Sequence, residues 1–156
     1  MQVNLRPVVT AETESIIAML RDAEEGEERI RAAVLSKSNT SYGAFDSDTL
    51  VGAATVHWEG HESEIIYIAV APGLRGRGYG KAMIEALFAE MRQQGVPALL
   101  VGTANSSFEN IAFYQKCGFR LYTVRQSFFD YVQPPIAERG IVMRDMLVLR
   151  YMPGDE

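Results

Sequence analysis

The chain has 156 residues, 47% apolar and 22% charged, proportions that suit one soluble globular domain and exclude a disordered, collagen-like or fibrous chain. Its 15 Lys and Arg against 20 Asp and Glu give a net charge of -5, which argues against nucleic acid as a partner. No apolar run approaches the ~18 residues of a membrane helix. Arg6, Glu12 and Glu14 interrupt any signal-peptide pattern. The single cysteine, Cys117, excludes an internal disulfide and a thiolate zinc centre; a cytoplasmic protein without membrane attachment is expected.

Residues 2–8 read as a first strand, and Thr10 is positioned to cap a helix on which Ile16, Ile17 and Leu20 recur at helical spacing. A weaker helix follows over 26–36, behind an acidic approach of Glu24, Glu25, Glu27 and Glu28 that reads as a solvated face. Residues 41–45 and 50–58 form an antiparallel hairpin about the polar turn Asp46-Ser47-Asp48. The run 64–71 is almost continuously apolar, as a central strand covered on both faces would be, and stops at Pro72-Gly73. Met83, Ile84, Leu87, Phe88 and Met91 then mark one face of a helix that Gly95 ends. Residues 98–102 make a short buried strand. Ser106 with Glu109 reads as a capping box for a helix closed by Gly118. Strands over 119–124 and 141–150 flank a long aromatic connection, 125–140, of the kind that tends to carry function.

The chemistry concentrates between the central strand and the longest helix, in Pro72-Gly73-Leu74-Arg75-Gly76-Arg77-Gly78-Tyr79-Gly80-Lys81. The first amides of a helix have no intrahelical acceptor, the helix dipole is positive there, and glycines let a phosphate approach the backbone. Arg75, Arg77 and Lys81 add charge, so an otherwise acidic chain gathers cations at one point, as a small polyanion would require. A Walker-type loop ending at Gly80-Lys81 would need Gly at position 75 and Ser or Thr at 82, where the chain has Arg75 and Ala82. A dinucleotide fingerprint starting at Gly76 would need Gly at 81, which is Lys81. Neither nucleotide loop fits.

Arg75-Gly76-Arg77-Gly78-Tyr79-Gly80 resembles the R/Q-x-x-G-x-G/A pyrophosphate loop of the GNAT superfamily of N-acetyltransferases, and residues 110–119, Asn110 to Phe119, resemble the family's second motif. With the order of elements, the likeness covers nearly the whole chain. It implies one domain over 1–156: an α/β (α+β) fold with a mixed, twisted sheet, a splay between the fourth and fifth strands, and about four flanking helices. It implies acetyl-CoA as cosubstrate, with pantetheine along Ile68, Ala69 and Val70 and the pyrophosphate on the amides of Leu74, Arg75, Gly76, Arg77, Gly78, Tyr79, Gly80 and Lys81. Asn110 would orient the coenzyme. No metal is called for: His57 and His61 flank a strand end without a third ligand in a recognisable pattern.

A lysine-type amine, with a reference pKa of about 10.4, must lose a proton before it attacks a thioester. Glu64 is the expected base. It opens the apolar strand roughly 20 Å from the phosphate turn at about 3.3 Å per residue, and it falls where some members of the family carry a glutamate; Glu59, Glu62 or a water chain are alternatives. Tyr114, four residues from Asn110 on the same helix face, is the expected donor to the departing thiolate. A main-chain N–H near Ile68 or Ala69 would hold the oxyanion. Cys117 stands at a helix C-terminus, where the dipole raises a thiol's pKa, so direct transfer is expected and not an acetyl-enzyme. Phe128, Phe129 and Tyr131 could wall the acceptor site, with Asp130, Asp145, Glu62 and Glu64 attracting a cationic amine, or could bury the loop or a homodimer interface. The expected activity is acetyl transfer to a primary amine of a small molecule or protein residue; the alternative is a non-catalytic acyl-CoA sensor or scaffold.

Overall fold

The chain enters through β1 (Asn4–Pro7), an edge strand that ends on a proline and therefore forfeits no interior ladder bond. The computed structural model describes residues 2–23 and 26–154, so Glu24 and Glu25 lie outside the described residues. Contacts divide the chain into two units, Met1–Pro97 and Ala98–Glu156.

In the first unit β1 pairs antiparallel with β2 (Thr40–Asp46), β2 with β3 (Thr49–His57), and β3 with β4 (Glu62–Val70). The hairpin expected about Asp46-Ser47-Asp48 is present, and Ser47 turns it with a positive φ of 55°. Helices α1 (Thr13–Met19) and α2 (Glu27–Leu35) connect β1 to β2. Ile16, Ile17, Leu20 and Ile30 bury their side chains in one cluster with Ala53 of β3 and Ala69 of β4. Thr10 is not the cap it was expected to be. A short 3-10 turn (Thr10–Glu12) precedes α1, and the Glu12 carboxylate accepts the Val9 N–H at 3.1 Å. Arg6 grips the same carboxylate at 3.1 and 2.8 Å, and a charged acceptor so held displaces a hydroxyl. After β4 comes α3 (Tyr79–Gln94), with Met83, Ile84, Leu87 and Met91 wholly buried. It ends on left-handed Gly95, whose following Val96 N–H returns to the Met91 carbonyl at 3.1 Å.

In the second unit β9 (Met146–Tyr151) lies antiparallel to both β5 (Ala98–Ala104) and β6 (Arg120–Arg125), and β7 (Ala137–Glu138) pairs with β8 (Ile141–Val142). Between β5 and β6 runs α4 (Phe108–Lys116), closed by Gly118 at φ 110°. Two expectations are corrected. The capping box at Ser106 and Glu109 does not form: α4 starts at Phe108, Ser106 Oγ is buried without a partner among the described residues, and Glu109 is drawn to Arg139 instead. The strand expected over 141–150 breaks into β8 and β9, because Asn105 Oδ1 takes the Arg144 and Asp145 amides, each at 2.9 Å, out of any ladder. The α/β class stands. No helix of the described residues is long and apolar enough to cross a membrane.

Gly52 sits where β3, β4 and α3 converge, opposite Val70. A Cβ there would stand 2.6 Å from Met83 Sδ and 2.7 Å from the Ala69 carbonyl oxygen. The thioether can move and the backbone oxygen cannot. Gly52→Ala should therefore destabilise the protein by about 1–3 kcal/mol, read as a lowered urea midpoint at unchanged m-value.

Candidate active site

Between β4 and α3 the chain makes one 3-10 turn, Pro72–Leu74, then reverses through two glycines with left-handed φ, Gly76 at 77° and Gly78 at 93°. Gly78 occupies the cap position, and the first α-helical bond of α3 runs from the Ala82 N–H to the Gly78 carbonyl at 3.1 Å. The first-turn amides of Tyr79, Gly80 and Lys81 thus have no intrahelical acceptor and form the positive end of the helix dipole. A Cβ built on Gly73 or Gly76 meets nothing within 4 Å, and Arg75, Gly76, Arg77, Gly78 and Lys81 are all exposed, so the approach to these amides is open.

Three details differ from the sequence expectation. The Leu74 N–H is engaged by the Ala71 carbonyl at 2.9 Å and offers nothing to a phosphate. Arg75 does not project over the turn: its Nε donates to the Val70 carbonyl at 3.2 Å and its Nη2 to Asp22 at 2.7 Å. Tyr79 contributes more than an amide. Its ring is buried and its hydroxyl donates to Asp46 Oδ2 at 2.5 Å, which pins the start of α3 to the end of the β2–β3 hairpin. That carboxylate, with some burial, raises the Tyr79 phenol above its ordinary value.

Ile68, Ala69 and Val70 pair in register with Ala54, Ala53 and Gly52. Further back along β4 the register slips between Tyr67 and Ile65, leaving Ile66 as a bulge residue, after which Glu64 stands opposite His57. Glu64 is half-buried. The His57 ring is fixed by the protein's own groups, Nδ1 by Ser38 O at 3.0 Å and Asn39 Oδ1 at 3.1 Å, Nε2 by Glu59 Oε1 at 3.0 Å. Glu59 is therefore occupied by His57, which weakens it as an alternative base.

The second unit carries Asn110 and Tyr114 on α4. Asn110 Nδ2 donates to Thr103 Oγ1 at 3.3 Å, a contact that orients the amide. Tyr114 is buried, edge-on to Phe113 and Phe119 at centroid distances of 5.3 and 5.7 Å. Burial, and secondarily Cys117, holds its phenol well above the ordinary value. Phe128, Phe129 and Tyr131 share the 3-10 turn Phe128–Tyr131, with ring centroids 5.0, 6.3 and 6.3 Å apart. Rings this close fill the space between them, so they form a packed cluster and not an open cage. Asn105, unnoticed in the sequence, organises this loop: besides the two amides it accepts, it donates to Val142 O at 3.1 Å through Nδ2 and to Asp145 O at 2.9 Å through its N–H. Asp145, expected to attract an amine, accepts the Ser127 N–H at 2.8 Å.

An open helix start at one end of β4 and a half-buried glutamate at the other are what an acyltransferase drawing its acyl group from a phosphate-bearing carrier would need. Residues 10–119 match the Acetyltransferase (GNAT) family, and the chain belongs to that family. It is 34% identical over 110 residues to the uncharacterized N-acetyltransferase YvbK of Bacillus subtilis (strain 168), a match covering 69% of this chain and 71% of that protein. It is 32% identical over 68 residues to the ribosomal protein bS18 alanine N-acetyltransferase of Escherichia coli (strain K12), covering 44% of this chain and 46% of that protein. Among solved structures, a GNAT family acetyltransferase from Elizabethkingia anophelis with acetyl-CoA bound superposes with a TM-score of 0.87 at 28% identity, over 97% of this chain and 98% of that one.

The buried Tyr114 phenol has a consequence for stability. Its folded form keeps the proton to a higher pH than the unfolded chain does, so the associated stability is complete below about pH 10 and is lost as pH rises beyond it. Unfolding free energy should decline above about pH 10, and Tyr114→Phe should reduce that slope by up to about 1.4 kcal/mol per pH unit. Urea titrations on both sides of pH 10 measure it; equal alkaline slopes would show that another group governs the decline.

Proposed function

We propose that the whole chain works as one acetyl-CoA-dependent N-acetyltransferase, moving the acetyl group directly onto a primary amine of a small molecule or protein residue. The observation that carries this reading is the open helix start after Gly78, with its unbonded first-turn amides and two left-handed glycines. In this reading the amides of residues 75–81 receive the pyrophosphate, the main chain of Ile68, Ala69 and Val70 lines the pantetheine arm, and Asn110, oriented by Thr103, fixes its amide. When bound, acetyl-CoA supplies an acyl thioester.

The chain's own groups then have separable tasks. Glu64 takes a proton from the incoming ammonium, leaving a neutral amine able to attack the carbonyl carbon, and the second proton, which the nitrogen sheds as the amide forms, goes to solvent. A main-chain N–H at Ile68 or Ala69 donates to the carbonyl oxygen as negative charge builds there. Tyr114 keeps its proton throughout the neutral range and donates a hydrogen bond to the sulfur as the carbon–sulfur bond breaks. Phe128, Phe129 and Tyr131 form the apolar side of the acceptor region, with Asp130 exposed beside them to favour a cation. Cys117, half-buried at the C-cap of α4, is in the wrong electrostatic setting for a nucleophile, which supports direct transfer.

Thiol release from acetyl-CoA, followed over a panel of polyamines, aminoglycosides, amino acids and peptides, is the test. Acceptor-dependent thiol is expected. Thermal stabilisation by acetyl-CoA with no thiol release under any acceptor would replace the enzyme with a coenzyme-binding sensor. Gly78→Val should abolish coenzyme binding, because a branched residue at φ 93° is strained and its side chain obstructs the amides. Tyr114→Phe should leave the Kd for acetyl-CoA near that of the wild type while lowering kcat about 10- to 100-fold, and an undiminished kcat would remove Tyr114 from the chemistry.

A further inference from the structure

One contact at this turn is not accounted for by coenzyme binding alone. The most obvious phosphate ligand of the turn is already held by an acid. Arg75 and Asp22 meet at 2.7 Å although 53 residues separate them, and each side chain is about half exposed, at 51% and 56%. Asp22 lies in a short 3-10 turn, Leu20–Ala23. The two residues before Asp22 anchor that turn. Leu20 is fully buried in the cluster that includes Ala69, and Arg21 binds Glu27 at the start of α2 at 3.0 and 2.8 Å. The carboxylate is thus delivered to the arginine by a fixed piece of backbone.

An arginine recognises a phosphate best through two parallel N–H donors on one edge of the guanidinium. Here the Nε–Nη2 edge is taken: Nε by the Val70 carbonyl and Nη2 by Asp22. The same carboxylate lowers the formal charge gathered at the turn from three cations, Arg75, Arg77 and Lys81, to a net of two. Resting on the coenzyme reading, we propose that Asp22 is a positioning residue which competes with the coenzyme's phosphates for Arg75, weakening the hold on coenzyme so that spent CoA leaves quickly. Acetyl-CoA and CoA carry the same diphosphate, so the competition weakens both alike and acts on binding and release, not on the bond-making step. An exposed ion pair is a weak competitor, which suits a contact that must yield on every turnover.

The experiment measures CoA by calorimetry and by stopped-flow dissociation in the wild type, Asp22→Asn, Asp22→Glu, Arg75→Ala and the Asp22→Asn/Arg75→Ala double variant. Asp22→Asn should tighten the Kd for CoA about 2- to 5-fold, most of it as a slower dissociation rate, and should lower KM for acetyl-CoA. Asp22→Glu, which keeps the charge, should behave as the wild type. In the Arg75→Ala background the gain from Asp22→Asn should vanish. Unchanged or weaker CoA binding by Asp22→Asn would overturn the proposal, as would an equal gain with and without Arg75, since the carboxylate would then act by general repulsion. A wild type that binds no CoA would instead sink the coenzyme reading itself.

Discussion

The point at which α3 begins is the constraint on which the rest of the site depends. Within a helix, amides are offered to a ligand only in the first turn, so a start displaced by one residue would exchange one donor for another and turn the direction of the set by roughly 100°. Three features prevent that displacement. The left-handed φ at Gly76 and Gly78 stops the helix from extending backwards. The wholly buried stripe of Met83, Ile84, Leu87 and Met91 fixes its rotation, since any turn about the axis would expose several large apolar side chains at about 1.5–3 kcal/mol each. Tyr79, tied to Asp46, holds the first residue in place. Among the described residues, none of these three features uses the first-turn amides, which leaves them open.

The features that were legible in the sequence are those set by neighbours along the chain. The α3 stripe, the turn at Asp46-Ser47-Asp48, the stops at Gly95 and Gly118 and the glycine run after β4 each follow from residues within one or two turns of each other. What was not legible depends on residues far apart. Tyr79 meets Asp46 across 33 positions, Arg75 meets Asp22 across 53, and Asn105 reaches Arg144 and Asp145 across 39 and 40. The capping box shows how a local signal can still mislead. Ser106 and Glu109 have the right spacing, yet Arg139, brought back by the β7–β8 hairpin, offers Glu109 a charged partner, and the helix starts at Phe108. Glu64 was readable as a strand residue, but the task of a carboxylate depends on what is brought to it.

An acidic chain that receives a polyanion has to solve an electrostatic problem, and in the function proposed above main-chain donors would solve it. Amides and a helix dipole present positive potential without adding formal charge, so the net charge of -5 need not be reversed anywhere on the surface. Beyond about 8 Å that surface charge is screened at physiological salt, whereas the amides act in contact. Arginine side chains are then free to be used for other purposes, and Arg75, folded back onto Val70 and Asp22, is an instance. In the function proposed above, the glycines would carry the recognition and the cations would adjust its strength.

Tyr79 and Tyr114 both have raised pKa values, with different leading causes, and the difference bears on the chemistry. The Tyr79 phenol is held up chiefly by donating to a carboxylate, so its proton is already committed and its role is mechanical. The Tyr114 phenol is held up by burial, which penalises the phenolate. A phenol above its usual value of about 10 does not readily give its proton outright to a thiolate whose reference pKa is about 8.5. Complete transfer would run uphill unless the same dry surroundings raised the thiol as well. A hydrogen bond to the departing sulfur needs no such match: it stabilises the charge as it forms and leaves the proton on oxygen. The buried tyrosine therefore suits a donor that stays protonated, with the thiolate taking up its proton from solvent once the coenzyme has left.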